Sequence, residues 1–166
     1  MTDQEFFDAV SSGGGSILSQ VLYLLKEARA QYCVIGGLAV NAYVEPVVSL
    51  DLDVVVVTDA LDHFLLLAAK QFKIKRFPHS INLTARKSDL RIQIQTDPRY
   101  AAFIARASRK RVIGYSMRVA SLDDVFQGKL WAYADRRRRG SKRQKDLADM
   151  YRLAEAYPRL KRRLPK

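Results

Sequence analysis

The spacing of apolar residues predicts alternating helices and strands in the first half of the chain. Apolar positions in residues 17–31 recur at helical intervals and predict a helix. The run YCVIGG at 32–37 predicts a buried strand that ends at two glycines, and residues 38–44 predict a short helix after them. Residues 50–57 predict a second apolar strand, and 61–72 have the length and composition of a helix.

The second half of the chain predicts further strands and then helices alone. Short alternating segments predict strands at 73–77, 81–85 and 90–95, with one more strand within 112–119. Helices are predicted at 98–107, 123–135 and 142–157. The pattern therefore predicts an α+β fold, in which a sheet domain of residues 1–120 is followed by a basic helical tail of residues 121–166 packed on it as one compact unit.

Length and hydrophobic content favour a single globular domain outside the membrane. With 166 residues, 48% of them hydrophobic, the chain is long enough for a sizeable core. No apolar run approaches the roughly 18 residues that cross a bilayer, and the acidic, polar N-terminus is unlike a signal peptide. The single cysteine, Cys33, excludes a disulfide within the chain and agrees with a cytoplasmic location. The segment SSGGGS at 11–16 predicts a flexible spacer.

The charge of the chain predicts a polyanionic partner. Lys and Arg number 29 against 17 Asp and Glu, so the net charge is +12 and the pI is about 10.0. RNA or DNA is the simplest partner for such a protein, and a basic surface kept for solubility is the alternative. Seven of the ten residues at 136–145 are Lys or Arg, which is typical of phosphate contacts. The residues predicted to bind nucleic acid are Arg136, Arg137, Arg138, Arg139, Lys142 and Arg143.

Two carboxylates on the strand 50–57 are the strongest candidates for chemistry. Asp51 and Asp53 alternate with apolar residues, so both point to one face about 7 Å apart, where they can bind one hard cation. The preceding Gly36 and Gly37 allow the backbone to approach a phosphate closely. A Gly-Gly pair is most often only a turn and Asp-x-Asp only a surface pair. A mostly apolar strand, however, rejects charges that lack a partner.

These segments resemble the nucleotidyltransferase superfamily, whose pattern places a Gly-Gly or Gly-Ser turn before an Asp-hydrophobic-Asp/Glu strand. GGLAVNAYV, SLDLDVVV and the tail SLDDVFQGKLWAYADRRRRGSKRQKDLADMYRL look most like minimal bacterial nucleotidyltransferases of the AbiEii-like type, the toxins of type IV toxin–antitoxin pairs. The resemblance covers residues 18–157. It implies a nucleotidyltransferase-like mixed β-sheet flanked by helices, followed by a basic C-terminal helical pair.

The resemblance also implies the roles of individual residues. Asp51 and Asp53 would bind Mg²⁺ or Mn²⁺, and a nucleoside triphosphate would be the substrate. The residues implied to bind the nucleotide are Gly36, Gly37, Ser49, Lys129 and Lys145. For the two lysines, a solvated helix face is the alternative role.

Two departures from the family pattern concern basic and acidic groups. Val47 and Ser49 stand where the family has an Arg-x-Thr, so the basic group is absent. Gln93 takes the catalytic position of a third carboxylate, and an amide can neither act as general base nor bind Mg²⁺ as strongly as a carboxylate. Asp97 could replace it only if the strand ended so that Asp97 turned inward, and Asp89 lies at the strand's entry.

Three functional hypotheses follow. The first is a metal-dependent nucleotidyltransferase that moves a nucleoside monophosphate to an RNA, with tRNA as a candidate, or to a protein. It would act as a toxin with a cognate antitoxin as partner. The second is a catalytically weak or inactive nucleotide- and RNA-binding module of the same fold, because of Gln93. The third is a purely structural RNA-binding protein, in which Asp51 and Asp53 pair with arginines of the tail.

Overall fold

A computed structural model describes all residues, 1–166, and contains seven helices and seven strands. The helices are α1 Asp3–Val10, α2 Gly14–Glu27, α3 Gly36–Val40, α4 Thr58–Ala68, α5 Phe103–Arg106, α6 Leu122–Ala134 and α7 Gly140–Ala156. The strands are β1 Tyr32–Ile35, β2 Asp51–Val56, β3 Lys73–Phe77, β4 Ser80–Thr84, β5 Arg91–Gln95, β6 Ser108–Val112 and β7 Tyr115–Val119. Two 3₁₀ segments, Pro98–Tyr100 and Pro158–Arg163, complete the regular structure.

All seven strands form one mixed sheet in the order β3-β4-β5-β2-β1-β7-β6. The pairs β2–β5 and β1–β7 are parallel, and the remaining neighbours are antiparallel. Strand β2 is central because its apolar residues are buried, with Leu52 and Val54 fully inaccessible. Together with the flanking helices, this sheet confirms the predicted α+β fold class and its mixed sheet.

The C-terminal helices pack on each other and on α3. Ser121 caps α6, because its hydroxyl accepts a hydrogen bond from the Asp124 N–H at 3.2 Å. Phe126 of α6 and Met150 of α7 belong to the same buried cluster as Leu52 of the sheet. The basic helical pair is thus present as predicted, and one core serves the sheet and the tail. The boundary at residue 120 stays a prediction.

The predicted flexible spacer at residues 11–16 is wrong. Helix α2 begins at Gly14, and Ser11, Gly14 and Gly15 are buried. The Ser11 hydroxyl accepts a hydrogen bond from the Gly14 N–H at 2.9 Å, which fixes the connection to α1. The glycines are needed for close packing, since a Cβ on Gly15 would collide with the hydroxyl of Tyr115.

The segment 98–119 also differs from the prediction. Instead of one helix over 98–107, it forms the 3₁₀ turn at Pro98–Tyr100 and the short helix α5, because Asp97 caps a tight first turn at Pro98. It then forms a hairpin rather than a single strand. Strand β6 escapes a pattern search because only Val112 of its five residues is buried. None of the helices combines the length and the apolar character that a membrane-spanning segment needs.

Candidate active site

A polar pocket lies where β1 ends and β2 begins, between the sheet and the C-terminal helices. Its volume is about 90 Å³. Its lining residues come from β1, α3, β2, β5, α6 and α7 and from the segments beside them: Ile35, Gly36, Asp51, Asp53, Gln93, Gln95, Tyr100, Gly128, Lys129, Ala132, Arg138, Lys142 and Asp146. A smaller adjoining pocket adds Gly37, Ser49 and Lys145. All residues predicted for metal and nucleotide binding therefore line these two pockets.

Gly36 packs directly against the carboxylate of Asp53. Ile35, the last residue of β1, is the register partner of Asp53, so the turn after β1 faces this side chain. Gly36 has φ = +71°, and a Cβ there would collide with Asp53 Oδ2. Both the backbone conformation and the available space therefore require glycine at this position.

Gly37, Ser49 and Lys145 converge in the adjoining pocket. A Cβ on Gly37 would lie 3.0 Å from Ser49 Oγ and 3.8 Å from Lys145 Nζ. Ser49 is buried, whereas Lys145 is exposed on α7. This corner thus offers a hydroxyl and an ammonium group beside an accessible stretch of backbone, as a phosphate site requires.

The two carboxylates of β2 differ in their surroundings. Burial, the largest cause, raises the pKa of Asp53 to about 6; Lys129 opposes this shift and Asp51 adds to it. Asp51 instead meets two cations, because Arg91 Nε donates to its Oδ1 at 2.8 Å and Lys142 Nζ lies 3.9 Å from its Oδ2. Asp51 thus pairs with β5 and with a lysine of the tail, and with no tail arginine.

Gln93, the residue that the resemblance placed at the position of a third carboxylate, lies beside Asp53. The two residues are register partners in the parallel pair of β5 and β2, and both line the pocket. Asp97 does not join them: it caps the next 3₁₀ turn and pairs with Arg99 at 3.0 Å. Although burial opposes the shift, hydrogen bonds from Arg99 hold the pKa of Asp97 below its usual value. Asp89 accepts a hydrogen bond from Ser12 outside the pocket.

Lys129 belongs to a buried ionic cluster rather than to a solvated helix face. Its Nζ lies 3.1 Å from Asp146 and 2.9 Å from Asp149, and its side chain is only 7% accessible. Burial opposes its charge, but the two carboxylates outweigh this and raise the pKa of Lys129. The sequence pattern did not predict a role for Asp146, although this residue directly follows Lys145 in the tail segment that resembles the family.

The basic run 136–143 is divided between the pocket and the surface. Arg138 points inward and pairs with Asp146 at 2.7 Å. Lys142 faces Asp51. Arg143 donates to the Tyr133 carbonyl at 2.7 Å, and Arg137 pairs with Asp135 at 3.3 Å. Arg136 and Arg139 are exposed and form no ion pair.

The donor set fits a divalent cation that takes several ligands from its substrate. Asp51 and Asp53 supply carboxylates and Gln93 supplies an amide oxygen, while no group of three or more His, Cys, Asp or Glu could hold a metal ion. Mg²⁺ is commonly bound in this way, by one or two carboxylates together with waters and substrate phosphates. The pocket is therefore suited to a metal that arrives with a polyphosphate.

Comparison with known proteins gives the same fold. Lincosamide antibiotic adenylyltransferase LnuA, with lincomycin bound, has a TM-score of 0.57 and 11% identity over 82% of this chain and 95% of its own. The solution structure of the antibiotic-resistance factor ANT(2'')-Ia has a TM-score of 0.58 and 15% identity, covering 87% of each chain. An antigenic nucleotidyltransferase-like protein from Paracoccidioides brasiliensis has a TM-score of 0.55 and 18% identity, covering 90% of this chain and 75% of its own.

Sequence comparison identifies the family. No curated protein matched the chain. The family model described as nucleotidyl transferase AbiEii toxin, type IV toxin–antitoxin system, matches residues 21–164. Because this match covers nearly all of the 166 residues, the chain belongs to the AbiEii nucleotidyl transferase toxin family.

Proposed function

We propose that this protein transfers a nucleoside monophosphate from a nucleoside triphosphate to a hydroxyl of an RNA, with tRNA as a candidate, or of a protein. The observation that carries the proposal is the placement of Asp51 and Asp53 on one strand face, against Gly36 and beside a cationic corner. Membership of a toxin family supports a toxic role and a cognate antitoxin as partner. The expected location is the cytoplasm.

The nucleotide phosphates fit the corner formed by Gly37, Ser49 and Lys145. Gly37 has no side chain to block its backbone, the Ser49 hydroxyl, which donates to the Asp51 carbonyl at 3.3 Å, can instead donate to a phosphate, and Lys145 brings a positive charge. Lys142 lines the same pocket, with its Nζ 3.9 Å from Asp51 Oδ2, where it can neutralise a second phosphate oxygen. Mg²⁺ or Mn²⁺, held by Asp51 and Asp53, would supply Lewis-acid polarisation of the phosphoryl group.

In the proposed reaction the acceptor oxygen attacks the α-phosphorus. One P–O bond forms, the bond between the α-phosphorus and its bridging oxygen breaks, and pyrophosphate leaves. The residue next to Asp53 on β5 is Gln93, whose amide cannot accept a proton as a general base. The proton of the attacking hydroxyl therefore goes to solvent. A general base contributes about 10²- to 10⁴-fold in rate, so we expect turnover to be slow.

Gln93 also supports a second candidate function, a nucleotide- and RNA-binding module with little or no catalysis. In both cases a metal–nucleotide complex binds at Asp51 and Asp53. The two candidates differ in turnover alone. A structural RNA-binding protein without a nucleotide site is less well supported, since no tail arginine pairs with Asp51.

Thermal unfolding with Mn²⁺ and a nucleoside triphosphate tests the site. A ligand at a hundredfold excess over its dissociation constant stabilises the folded state by about 2.7 kcal/mol. This stabilisation corresponds to a rise in Tm of roughly 5 to 10 °C for a chain of this size. We expect Asp51→Asn with Asp53→Asn to abolish the shift. The matched control is Asp59→Asn with Asp62→Asn, two exposed carboxylates of α4. An unshifted Tm in the wild type would refute the proposed nucleotide site.

Transfer of an α-radiolabelled nucleotide to bulk tRNA or to protein then separates the two candidates. Label that becomes acid-precipitable with the wild type, and not with the double Asn variant, establishes transfer. Nuclease or protease treatment identifies the acceptor. A nucleotide-dependent Tm shift without any transfer to either acceptor would favour the binding module.

A further inference from the structure

A basic groove lies at the end of β1 remote from the metal pocket. We define it by Lys26 of α2, Arg109 of β6 and Arg118 of β7, with Tyr23 and Tyr32 beside them. Its volume is about 880 Å³, and it shares no lining residue with the polar pocket. Strand β1 separates the two, since Tyr32 borders the groove and Ile35 borders the pocket about 10 Å away.

Two arginines in the groove lie directly opposite each other. Arg109 and Arg118 are register partners in the antiparallel pair of β6 and β7. Like charges in this arrangement destabilise a sheet. No carboxylate compensates them: Arg109 donates to Ser116 Oγ at 3.3 Å, and Arg118 donates to the Ala107 carbonyl at 2.8 Å. The pair is an uncompensated electrostatic cost that a bound anion would relieve.

The groove contrasts with the basic run of the tail. None of its eleven lining residues is acidic, and none of its three cations forms an ion pair. In the tail, by contrast, Arg137, Arg138 and Lys142 all face carboxylates. What distinguishes the groove is that three cations without an ion pair line one cavity that contains no acidic residue.

Protection of an exposed sheet edge explains only part of this charge. Strand β6 is an edge strand, and cations on an edge hinder pairing with other chains. Arg118 lies on the inner neighbour β7, and Lys26 lies on a helix, so neither protects the edge. Both nevertheless face the same groove as Arg109.

We propose that this groove binds the phosphate backbone of single-stranded RNA. Three cations without carboxylates match a row of phosphates, and Tyr23, which is 61% exposed, offers a ring on which a base can stack. A run of acidic side chains would also pair with the cations, but it has no base to stack on the exposed ring of Tyr23. Naming RNA as the polyanion rests on the proposed function; the groove itself does not depend on catalysis.

The test is binding of a short fluorescein-labelled oligouridine, followed by anisotropy at several salt concentrations without nucleotide or metal. Arg109→Gln with Arg118→Gln removes two contacts, so the log–log salt slope should become shallower by about 1.4, and binding at low salt should weaken about tenfold or more. The matched control is Lys73→Gln with Arg76→Gln on β3, the opposite edge strand of the sheet. It removes the same charge and should change affinity less than twofold.

Two further readouts separate the groove from general charge and from the metal site. Without RNA, Arg109→Gln with Arg118→Gln should have an unchanged or higher Tm, because it removes a like-charge pair; a large drop would make the arginines structural and overturn the proposal. Asp51→Asn with Asp53→Asn should bind the oligouridine as well as wild type, even if nucleotide binding fails. Three results would each refute an RNA groove. The first is an equal loss of RNA affinity in the groove variant and in the β3 control, and the second is a wild-type protein that does not bind RNA. The third is tighter binding of polyglutamate than of oligouridine.

Discussion

Arg91 Nε donates a hydrogen bond to Asp51 Oδ1 at 2.8 Å, across the parallel pair of β5 and β2 in which the two residues are register partners. Lys142 Nζ approaches the other oxygen of the same carboxylate at 3.9 Å. Asp51 is therefore paired with two side-chain cations. A metal ion that binds Asp51 must compete with them.

Arg91→Gln should therefore increase the affinity for Mn²⁺. The Arg91 side chain is 60% exposed, so its pairing is worth no more than about 1 kcal/mol, and the gain is at most about fivefold. A titration of Tm against Mn²⁺ without nucleotide measures it. Arg86→Gln removes an exposed charge from the segment between β4 and β5 and should leave the half-saturating concentration unchanged. Weaker Mn²⁺ binding in Arg91→Gln would show that Arg91 supports the metal site.

Gly36→Ala should lower stability and damage the metal site together. The residue has φ = +71°, which costs about 1 to 2 kcal/mol for an L residue, and its Cβ would displace the Asp53 carboxylate. Urea unfolding should show a loss of at least about 1 kcal/mol, and the Mn²⁺-dependent rise in Tm should disappear. Gly140→Ala at the start of α7, where a Cβ meets nothing within 4 Å, should be neutral or stabilising. A Gly36→Ala protein with unaltered Mn²⁺ response would contradict this account.

The sequence predicted the acidic face of the site because a strand has a period of two. Alternation alone places Asp51 and Asp53 on one side of β2, and it places Gln93 on the corresponding side of β5. The contact between Arg91 and Asp51 needs the register of two strands that are 40 residues apart in sequence, which no local pattern contains. For the same reason, the pairing of Lys129 with Asp146 appears only once α6 and α7 are packed.

The sequence pattern failed at residues 11–16 and at strand β6 for a different reason. Residues 11–16 are rich in glycine and serine, a composition typical of linkers, yet close packing against α1 and Tyr115 makes their small size structural. Strand β6 carries three consecutive cations, and only its partner β7 makes it a strand. In both places tertiary contacts override local preference.

Protonation of Asp53 should couple pH to stability and to metal binding. Burial raises its pKa to about 6, above the value in an unfolded chain. The native protein then binds the proton more tightly, so this group contributes stability at low pH that is lost as pH rises through about 6. In metal-free protein, Asp53→Asn should remove this part of the pH dependence of Tm. Because the metal needs the carboxylate, the Mn²⁺-induced shift should shrink from about pH 7.5 to about pH 5. A Mn²⁺ shift that is constant over this range would refute the coupling.

Lys129→Met should destabilise the protein far more than Lys145→Met. Lys129 is buried between Asp146 and Asp149, and removing one partner of a buried ionic cluster costs about 3 to 5 kcal/mol. We expect a loss at the lower end of this range, because Arg138 still pairs with Asp146 and Arg152 with Asp149. Lys145 is exposed, so its replacement should change stability by less than about 0.5 kcal/mol. Urea unfolding measures both, and equal stability of the two variants would mean that Lys129 has no structural role.

Gln93→Asp tests whether the missing third carboxylate limits catalysis. The new carboxylate would lie beside Asp53, its register partner, and in the pocket. Without metal, the two neighbouring carboxylates repel each other, so the Tm of the variant should be lower than that of wild type. Mn²⁺ relieves this repulsion, so the rise in Tm that Mn²⁺ causes should be larger in the variant than in wild type. Transfer of radiolabelled nucleotide to bulk tRNA in Mn²⁺ should be at least as fast as in wild type, and about 10²-fold faster or more if the carboxylate serves as general base.

The matched control for this variant is Gln95→Asp, which adds the same charge on the same strand face two residues farther from Asp51. Gln95 also lines the pocket, but its register partner is the apolar Val55, so a carboxylate there does not lie directly opposite Asp53 and should enhance the Mn²⁺ shift and the transfer rate much less. A similar gain in both variants would reduce the effect to general negative charge. A large loss of transfer in Gln93→Asp alone would mean that the glutamine itself is functional, through its amide N–H or through the length of its side chain.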